Sequence, residues 1–372
     1  MRQNSVQDGS QTVSGYSNEL LNFLKNAPQE QLEVVVMPDF FQDRIINLDC
    51  SVQDFTSVVG EIAKRKGGSV DEITQTDLRG GNAVNVASAL ASLGAKVTLI
   101  ICTSKFGLQQ IRFHLGHFPN IDTSHVKIAE KASMTTALEF KTENGKANVM
   151  LRDLGSLANF GPADLTNDDW VHVENADYIC LFNWAGTRKF GTQLAETVFH
   201  RVKTKGKGKT YFDTADPSPN KEKIPELMKK VLKTKHVDVL SLNENETVSY
   251  ASLLDTEMKK KREQMQFDKL AMDAARILAK HLRARIDLHT TAFSATVTRK
   301  TEVVVSAFKV NALRATGAGD AWDAGNIIGD GNALSDECRL ALANAVAACY
   351  LSDPDGSHPT RQKIIKFLEC TK

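Results

Sequence analysis

A carboxylate stands directly behind a flexible, glycine-rich turn in the segment Thr316-Gly317-Ala318-Gly319-Asp320. Thr301 to Phe308 alternates like a strand and Ala321 to Ile328 is typical of the first turns of a helix, so a loop enters a helix at this turn. A helix N-terminus favours an anion such as a phosphoryl group, and an adjacent carboxylate can take a proton from a hydroxyl. The motif therefore suits phosphoryl transfer, although an ordinary glycine turn with a capping aspartate explains it equally well when it is taken alone.

Two further groups of polar residues stand at predicted helix starts. Asn243 and Glu246 follow the predicted strand Val237–Leu242, and oxygen-rich side chains there suit Mg²⁺, which keeps several water ligands. Gly80-Gly81-Asn82, with Asn85 one turn later, offers amide and backbone groups that suit sugar hydroxyls. Simple capping of a helix start explains either group, taken alone, better than a binding site does.

Three other patterns resemble functional sites. Asp39 and Asp43 follow the first predicted strand, where a carboxylate either accepts two hydroxyl hydrogen bonds or lies in a surface turn. The segment Gly206-Lys207-Gly208-Lys209-Thr210 resembles a P-loop, but Lys203 replaces the required upstream glycine and the segment precedes a strand. Trp322 stands where a GxGxxG motif needs its last glycine, which disfavours a dinucleotide-binding fold.

Composition excludes several classes of protein. The 372 residues contain 46 lysines and arginines against 45 acidic residues, so no global field points to nucleic acid or to an anionic membrane. No apolar run approaches the roughly 20 residues that span a bilayer, and residues 1–30 lack the apolar core of a signal peptide. The 6 cysteines are widely spaced with no CxxC pair. These features predict a cytoplasmic protein with reduced thiols.

Helices and strands are predicted to alternate from the first strand, Leu32–Met37, onward. Helical spacing extends over Phe55–Ala63, Asn82–Leu93, Gly191–Val202 and Leu270–Leu282, and strands are predicted at Val97–Cys102, Thr210–Phe212 and Ile286–Leu288. This alternation predicts a parallel α/β sheet with helices on both faces.

Three segments are predicted to lie outside that sheet. Thr135–Phe140 and Ala147–Leu151 flank an Asn-Gly pair and predict a separate hairpin. Met1–Ser14 is predicted to be disordered, and Ser17–Lys25 to form a short helix in an appendage. The basic run at residues 259–262 is read as a solvated helix face.

The order of these segments resembles that of the ribokinase-like (PfkB-type) carbohydrate kinases, over Leu32 to Leu368. The shared order is an Asp-containing strand end, Gly-Gly-Asn-x-x-Asn, Asn-x-x-Glu, Gly-Ala-Gly-Asp and then Leu342-Ala343-Asn344-Ala345. The resemblance implies a three-layer α/β/α fold with a mainly parallel central sheet and a small lid. It also implies a polar N-terminal extension at residues 1–30 and a kinase domain at 31–372, with lid elements around 44–80 and 133–152.

The same resemblance implies an ATP-dependent kinase that uses Mg²⁺ and phosphorylates a hydroxyl of a sugar or sugar derivative. Asp320 would be the general base, and Gly317, Ala318 and Gly319 the anion hole. The implied substrate contacts are Asp43, Gly81, Asn82 and Asn85. The implied nucleotide contacts are Asn243, Glu246, Thr290, Ser294 and Asn344, with Glu246 holding Mg²⁺ through water.

The sequence departs from the family pattern in four places. Arg314 and Ala315 replace an acidic position associated with a monovalent-cation site, which disfavours potassium activation. Thr290 to Ala295 lacks the usual glycines of the triphosphate cradle. Asp54 to Arg65 is helical by periodicity where many relatives carry lid strands, which argues against a lid and a lid-mediated dimer. Trp322-Asp323 replaces a commoner aromatic and small polar pair, and Trp322 is predicted to pack in the core.

Alternatives to a sugar kinase remain open from the sequence. A nucleoside kinase of the same family is one, with Phe40, Phe41 and Phe140 stacking on a base. A catalytically silent metabolite-binding protein is another, and a nicotinamide oxidoreductase is disfavoured. The expected partner is a small molecule rather than nucleic acid or membrane, and a homodimer is left open. Cations for a phosphorylated sugar are available at Arg79, Lys105 and Arg152.

Overall fold

A computed structural model describes residues 10–27, 31–143, 145–258, 267–314 and 316–371. The strands are β1 Glu33–Met37, β2 Phe41–Asn47, β3 Thr74–Gly80, β4 Lys96–Leu99, β5 Cys102–Thr103, β6 Ile121–Asp122, β7 Lys127–Ile128, β8 Ser133–Thr142, β9 Gly145–Asp153, β10 Tyr178–Leu181, β11 Lys209–Asp213, β12 Val239–Asn243, β13 Arg285–His289, β14 Phe293–Val297 and β15 Glu302–Ser306. The helices are α1 Ser10–Asn26, α2 Val52–Lys64, α3 Asn82–Ser92, α4 Lys105–Leu115, α5 Asn167–Asn175, α6 Gly191–Lys205, α7 Ile224–Leu227, α8 Glu244–Ala251, α9 Phe267–His281, α10 Ala318–Gly331, α11 Asp336–Leu351 and α12 Arg361–Cys370.

The predicted parallel sheet is the centre of the molecule. In the described part of the chain it has nine strands in the order β15-β14-β13-β12-β11-β10-β1-β4-β6. The strands from β13 to β6 pair in parallel, and β14 and β15 add an antiparallel edge. Along β1, Val34 and Val36 belong to one buried core cluster, whereas Val35 and Met37 belong to another. Both faces of the sheet are therefore covered by helices, which is why its strands are almost continuously apolar.

The lid is a second, four-stranded sheet in the order β3-β2-β8-β9. The β8–β9 hairpin forms outside the main sheet as predicted, and β2 pairs in parallel with β8. Residue 144, in the Asn-Gly pair of that turn, lies outside the described residues. The segment read as helical is indeed a helix, α2, which begins at the Ser51 cap. The inference that this helix argues against a lid is wrong, because strands on either side of α2 complete the sheet.

The N-terminal helix is longer than predicted and packs on the rest of the chain. Residues 10–14, expected to be disordered, form the start of α1. Leu20, Leu21 and Leu24 are buried in the same core cluster as residues of α11 and α12. Arg361 of α12 donates hydrogen bonds to the carbonyls of Leu24 and Ala27, 2.5 and 2.9 Å long, which satisfies carbonyls at the end of α1. The expectation of an appendage is therefore wrong for this helix.

Two other features complete the outline of the fold. The basic run at residues 259–262 lies outside the described residues. Among the helices that the structure describes, none combines the length and apolar character needed to cross a membrane.

Candidate active site

Five neighbouring strands of the central sheet each end in a polar residue at the same edge. These residues are Asp39 after β1, Asn183 after β10, Asp213 in β11, Asn243 in β12 and His289 in β13. Carboxyl ends of parallel strands form one edge, where ligands of open α/β sheets bind. Sequence reasoning selected only Asp39 and Asn243 from this row. A polar residue at the end of a predicted strand was also available as a signal for Asp213 and His289.

Asp39 anchors the start of α3 rather than lying in a surface turn. It is fully buried, and its carboxylate accepts hydrogen bonds from the backbone N–H groups of Asn82 (3.0 Å) and Ala83 (2.9 Å) and from the Asn183 amide (2.8 Å). Burial raises the pKa of Asp39 above its ordinary value, and these donors oppose the rise. Gly81 precedes the helix without a side chain to cap it, so Asp39 satisfies the first N–H groups of α3 instead.

Two amides of α3 hold the carboxylate of Asp320. Asn82 Nδ2 donates to Oδ1 and Asn85 Nδ2 donates to Oδ2, both over 2.9 Å. Asp320 is 5% exposed, and burial raises its pKa to about 7, with repulsion from Asp213 adding to the rise and the two amides opposing it. A carboxyl group with a pKa near neutrality is suited to general base catalysis. The two amides predicted as sugar contacts therefore lie at the predicted base.

Arg79 determines which way the Asn85 amide faces. Its Nε donates to Asn85 Oδ1 over 3.1 Å and its Nη1 donates to Ser88 Oγ over 3.0 Å. Because Oδ1 of Asn85 accepts from a guanidinium that can only donate, the amide nitrogen must face Asp320. Arg79 was predicted as an available surface cation. It is instead packed beside α3, and the sequence carried no signal for this role.

The glycine turn forms the N-terminus of α10. Gly317 precedes the helix with φ +83°, a left-handed conformation that favours glycine, and a Cβ there would lie 2.6 Å from the Tyr350 hydroxyl. The first N–H groups of a helix have no acceptor within it, so those of Ala318, Gly319 and Asp320 can receive an anion. The His289 ring lies beside Gly319 and 5.0 Å from the Trp322 ring. Burial lowers the pKa of His289 to about 4, so the ring is neutral at neutral pH.

Three buried acidic residues, Asp213, Glu246 and Asp323, lie near one another and are here called the acidic pocket. Asn243 and Glu246 form a capping box at the start of α8, with Asn243 Nδ2 donating to Glu246 Oε1 over 2.8 Å. Burial and repulsion from Asp213 raise the pKa of Glu246 well above its ordinary value. Burial and the same neighbour also raise the pKa of Asp323, whose Oδ1 accepts hydrogen bonds from Tyr211 and Ser241.

The composition of this pocket suits a divalent cation. Ligand atoms of Asp213, His289 and Asp323 lie within 4.8 Å of one another. Asp323 Oδ2 is buried and has no hydrogen-bond donor among the described residues. A bound cation stabilises ionised carboxylates most where they are buried and repel one another, because it reduces that repulsion. The sequence pointed to Glu246 for this role and missed Asp213 and Asp323.

A row of polar side chains crosses the lid sheet. Asp43, Thr135 and Arg152 are cross-strand neighbours on β2, β8 and β9. The Asp43 carboxylate occupies the space that a Cβ on Gly80 would need, at 2.1 Å. Burial raises the pKa of Asp43 to about 6, and Thr135 and Arg152 oppose the rise. The structure therefore places Asp43, a predicted substrate contact, beside the turn that enters α3.

Of the three remaining predicted nucleotide residues, Thr290 and Asn344 form hydrogen bonds within the protein. Thr290 Oγ1 bonds to the backbone of the β13–β14 turn. Ser294 is buried and its hydroxyl has no partner in the described part of the chain. Asn344 accepts a 2.9 Å hydrogen bond from Trp322 Nε1 and donates to the Ser306 carbonyl over 3.1 Å. These three residues stay predictions as nucleotide contacts, and Trp322 packs in the core as expected.

The architecture that positions this site is the ribokinase-like fold. The structure matches that of Arabidopsis thaliana ribokinase complexed with ribose and ATP, with a TM-score of 0.69 and 18% identity over 91% of this chain and 99% of that one. It matches Methanocaldococcus jannaschii nucleoside kinase with a TM-score of 0.64 and 16% identity, over 91% of this chain and 99% of that one. Adenosine kinase from Sinorhizobium meliloti matches with a TM-score of 0.65 and 16% identity, over 92% and 100%.

Residues 45–363 match the family model described as "pfkB family carbohydrate kinase". The chain belongs to this family, as the order of its motifs indicated. Family membership places the chain among the phosphotransferases. Among curated proteins, none matches the sequence.

Proposed function

We propose that the protein is an ATP-dependent kinase that transfers the γ-phosphate to a hydroxyl of a sugar or sugar derivative. The observation that carries the proposal is the environment of Asp320, a buried carboxylate with a pKa of about 7 at the N-terminus of a helix. A capped turn needs no such environment. Two amides directed at the carboxylate, with the first N–H groups of a helix beside it, are what a base and an anion hole require.

The proposed reaction needs one proton transfer and one displacement. Asp320 accepts the proton of the acceptor hydroxyl, and the hydroxyl oxygen attacks the γ-phosphorus in line while ADP leaves. Each carboxylate oxygen has two lone-pair sites, so the bonds from Asn82 and Asn85 leave room for the hydroxyl proton. The N–H groups after Gly317 stabilise the charge on the transferring group.

The acidic pocket is the proposed place for Mg²⁺ and the nucleotide phosphates. Glu246 and Asp213 would hold the ion through water, since Mg²⁺ keeps several waters and needs few direct protein ligands. When bound, Mg²⁺ neutralises charge on the phosphates. Thr290, Ser294 and Asn344 are the proposed nucleotide contacts.

A small polar acceptor suits the lid side of the candidate site better than a nucleoside. The row of Asp43, Thr135 and Arg152 offers a carboxylate, a hydroxyl and a cation to sugar hydroxyls or to an acidic substituent. The rings of Phe40, Phe41 and Phe140, considered as stacking partners for a base, are at most 4% exposed. We propose residues 31–372 as the kinase domain, with lid elements around 44–80 and 133–152 and with an N-terminal extension, residues 1–30, whose helix α1 packs into the same core.

The test is a panel of acceptors assayed with ATP and Mg²⁺ by ADP release, with the product identified by ³¹P NMR. Neutral sugars, phosphorylated sugars, sugar acids and nucleosides form the arms of the panel. We expect turnover in one of the sugar arms, and a loss of about 10²–10⁴-fold in Asp320→Asn because the base is removed. The matched control is Asp268→Asn, an exposed aspartate in the first turn of α9, which should keep full activity.

Each alternative predicts a different outcome. Turnover of nucleosides alone would replace the sugar kinase by a nucleoside kinase. Unchanged transfer in Asp320→Asn would reject Asp320 as the base. Binding of ATP or sugars, seen as a rise in unfolding temperature without turnover in any arm, would favour a silent metabolite-binding protein.

A further inference from the structure

The guanidinium of Arg314 contacts two backbone carbonyls of the loop after α11, here called the carbonyl cage. Its Nη2 donates to the carbonyls of Asp353 and Pro354, the latter over 3.0 Å. Its Cζ lies 5.4 Å from the centroid of the Tyr350 ring, within the range of a cation–π contact. A Cβ on Gly356 would lie 1.8 Å from Nη1, so the loop after α11 closes around the guanidinium at a glycine with φ +69°.

The loop that carries the cage has hydrogen bonds of its own. Asp353 Oδ1 accepts hydrogen bonds from the backbone N–H groups of Asp355 (3.0 Å) and Ser357 (2.9 Å), which fold the loop back on itself. Asp353 Oδ2 pairs with Lys363 of α12. The carboxylate of Asp353 is thus used to build the loop, and Arg314 contacts its carbonyl oxygen instead. None of these bonds involves Arg314, so we expect the carbonyls to keep their arrangement when the guanidinium is removed.

The cage is connected to the anion hole through Tyr350. The Tyr350 hydroxyl lies against Gly317, where it leaves no room for a side chain, and the Tyr350 ring lies under Arg314. The backbone N–H of Leu313 also donates to the carbonyl of Leu351 over 2.8 Å. Arg314 and Leu313 together fasten the loop that precedes the anion hole to the end of α11.

The electrostatic role of Arg314 follows from the carbonyl oxygens around its guanidinium. Converging carbonyl oxygens are a suitable environment for a desolvated monovalent cation, as in potassium-selective pores. Without the positive charge of Arg314, the partial negative charges of these carbonyl oxygens would repel an anion at the nearby N-terminus of α10. A guanidinium is always charged and supplies several donors in a fixed plane, so it provides charge and geometry without dissociating.

We propose that Arg314 is a built-in cation that holds the anion-hole loop in its active arrangement and makes phosphoryl transfer independent of a dissociable monovalent cation. Arg314 is a positioning residue, because it acts through Tyr350 and the loop rather than on the reacting atoms. The proposal rests on the kinase function proposed above.

The kinetic test compares potassium chloride with tetramethylammonium chloride at equal ionic strength. We expect the wild-type rate to change by less than about twofold, and kcat of Arg314→Ala to fall about 100-fold with little change in the KM of the acceptor, because the anion hole is misplaced. Potassium or guanidinium ions should restore at least about tenfold of that loss, since the empty cage accepts them. Arg283→Ala, which removes an exposed arginine, should behave as wild type in both salts. Potassium dependence of the wild type, or a folded Arg314→Ala without rescue, would overturn the proposal.

A binding test separates this proposal from the kinase function. The unfolding temperatures of wild type and Arg314→Ala are measured without acceptor in the same two salts. We expect potassium to stabilise only the variant, because binding to the folded state alone raises stability. Potassium stabilisation of the wild type, or none of the variant, would reject the built-in cation. If no acceptor is turned over and the variant still responds to potassium, the kinase function fails and the cation cage stands.

Discussion

Replacing Asn85 by leucine should shift the pH dependence of the reaction toward alkaline pH. Asn85 Nδ2 donates a 2.9 Å hydrogen bond to Asp320 Oδ2, and this bond opposes the rise in pKa that burial causes. Leucine has a similar volume but no donor. Ionised Asp320 would then lose one of its two amide partners, whereas the protonated form would lose much less.

The size of the shift follows from the strength of that bond. A hydrogen bond to a charged group contributes about 1.5–3 kcal/mol, and one pKa unit corresponds to about 1.36 kcal/mol. The pKa of Asp320, about 7 in the wild type, should therefore rise by roughly one to two in Asn85→Leu. At pH 7 the ionised fraction would fall from about half to about one-tenth or less, so the rate should fall at least roughly fivefold beyond any effect on binding.

The assay is the pH profile of kcat/KM, which reports the pKa of the free enzyme's essential groups. A base must be ionised to act, so activity should rise with pH through the pKa of Asp320. Asn85 is also a proposed sugar contact, so its loss can lower the maximal kcat/KM by weakening binding. The pKa of Asp320 is therefore read from the pH at the midpoint of the acidic limb and not from the maximal value. Asn332→Leu, at the other end of α10, removes an amide that bonds to the Ile328 carbonyl and should not move the limb. An unmoved limb in Asn85→Leu, or a wild-type limb near pH 4, would refute the reasoning.

Three further predictions concern stability and the glycine turn. The free energy of unfolding of Asp320→Asn, measured in urea relative to that of the wild type, should increase with pH. The increase should be roughly 3 kcal/mol between about pH 5 and pH 8.5. The reason is that the pKa of Asp320 rises from 3.8 to about 7 on folding, so its ionisation opposes folding above pH 4. Gly317→Ala should lower kcat about 100-fold in steady-state assays, because a Cβ at φ +83° meets the Tyr350 hydroxyl and displaces the anion hole. Leu20→Ala should lower the free energy of unfolding by about 2–5 kcal/mol, since Leu20 is 1% exposed.

Each of these has a matched control. Asp268→Asn should show the same pH dependence of stability as wild type, and a constant difference for Asp320→Asn would contradict a buried charge. A Cβ on Gly60, in α2, meets nothing within 4 Å, so Gly60→Ala should leave kcat unchanged; equal losses at both glycines would contradict an anion hole. Leu253 is 48% exposed, so Leu253→Ala should cost little; a similarly small cost for Leu20→Ala would mean that α1 is an appendage after all.

The sequence by itself determined the local elements and most of the residues at the candidate site. Hydrophobic spacing predicted α3 and α9 and the strands β1, β11 and β13 within a few residues, because a buried face must recur at the period of its element. The order of the Gly-Gly-Asn, Asn-x-x-Glu and Gly-Ala-Gly-Asp segments predicted the family. Local periodicity identified α2 but not the sheet around it, since β2 and β8 pair across about 90 residues of chain.

Only the tertiary structure decided which groups act on one another. Asn85 and Asp320 are separated by 235 positions, and their hydrogen bond opposes the rise in pKa that burial causes. Neither the burial nor the bond can be read from a local sequence pattern. Arg79 bonds to the Asn85 amide, and Asp39 bonds to the start of α3. Both contacts form because a buried polar group without a hydrogen-bond partner costs free energy. Arg314 was read from the sequence as the loss of a cation site. The structure places its charge in a carbonyl cage instead, because folding brings the loop after α11 to the loop before the anion hole.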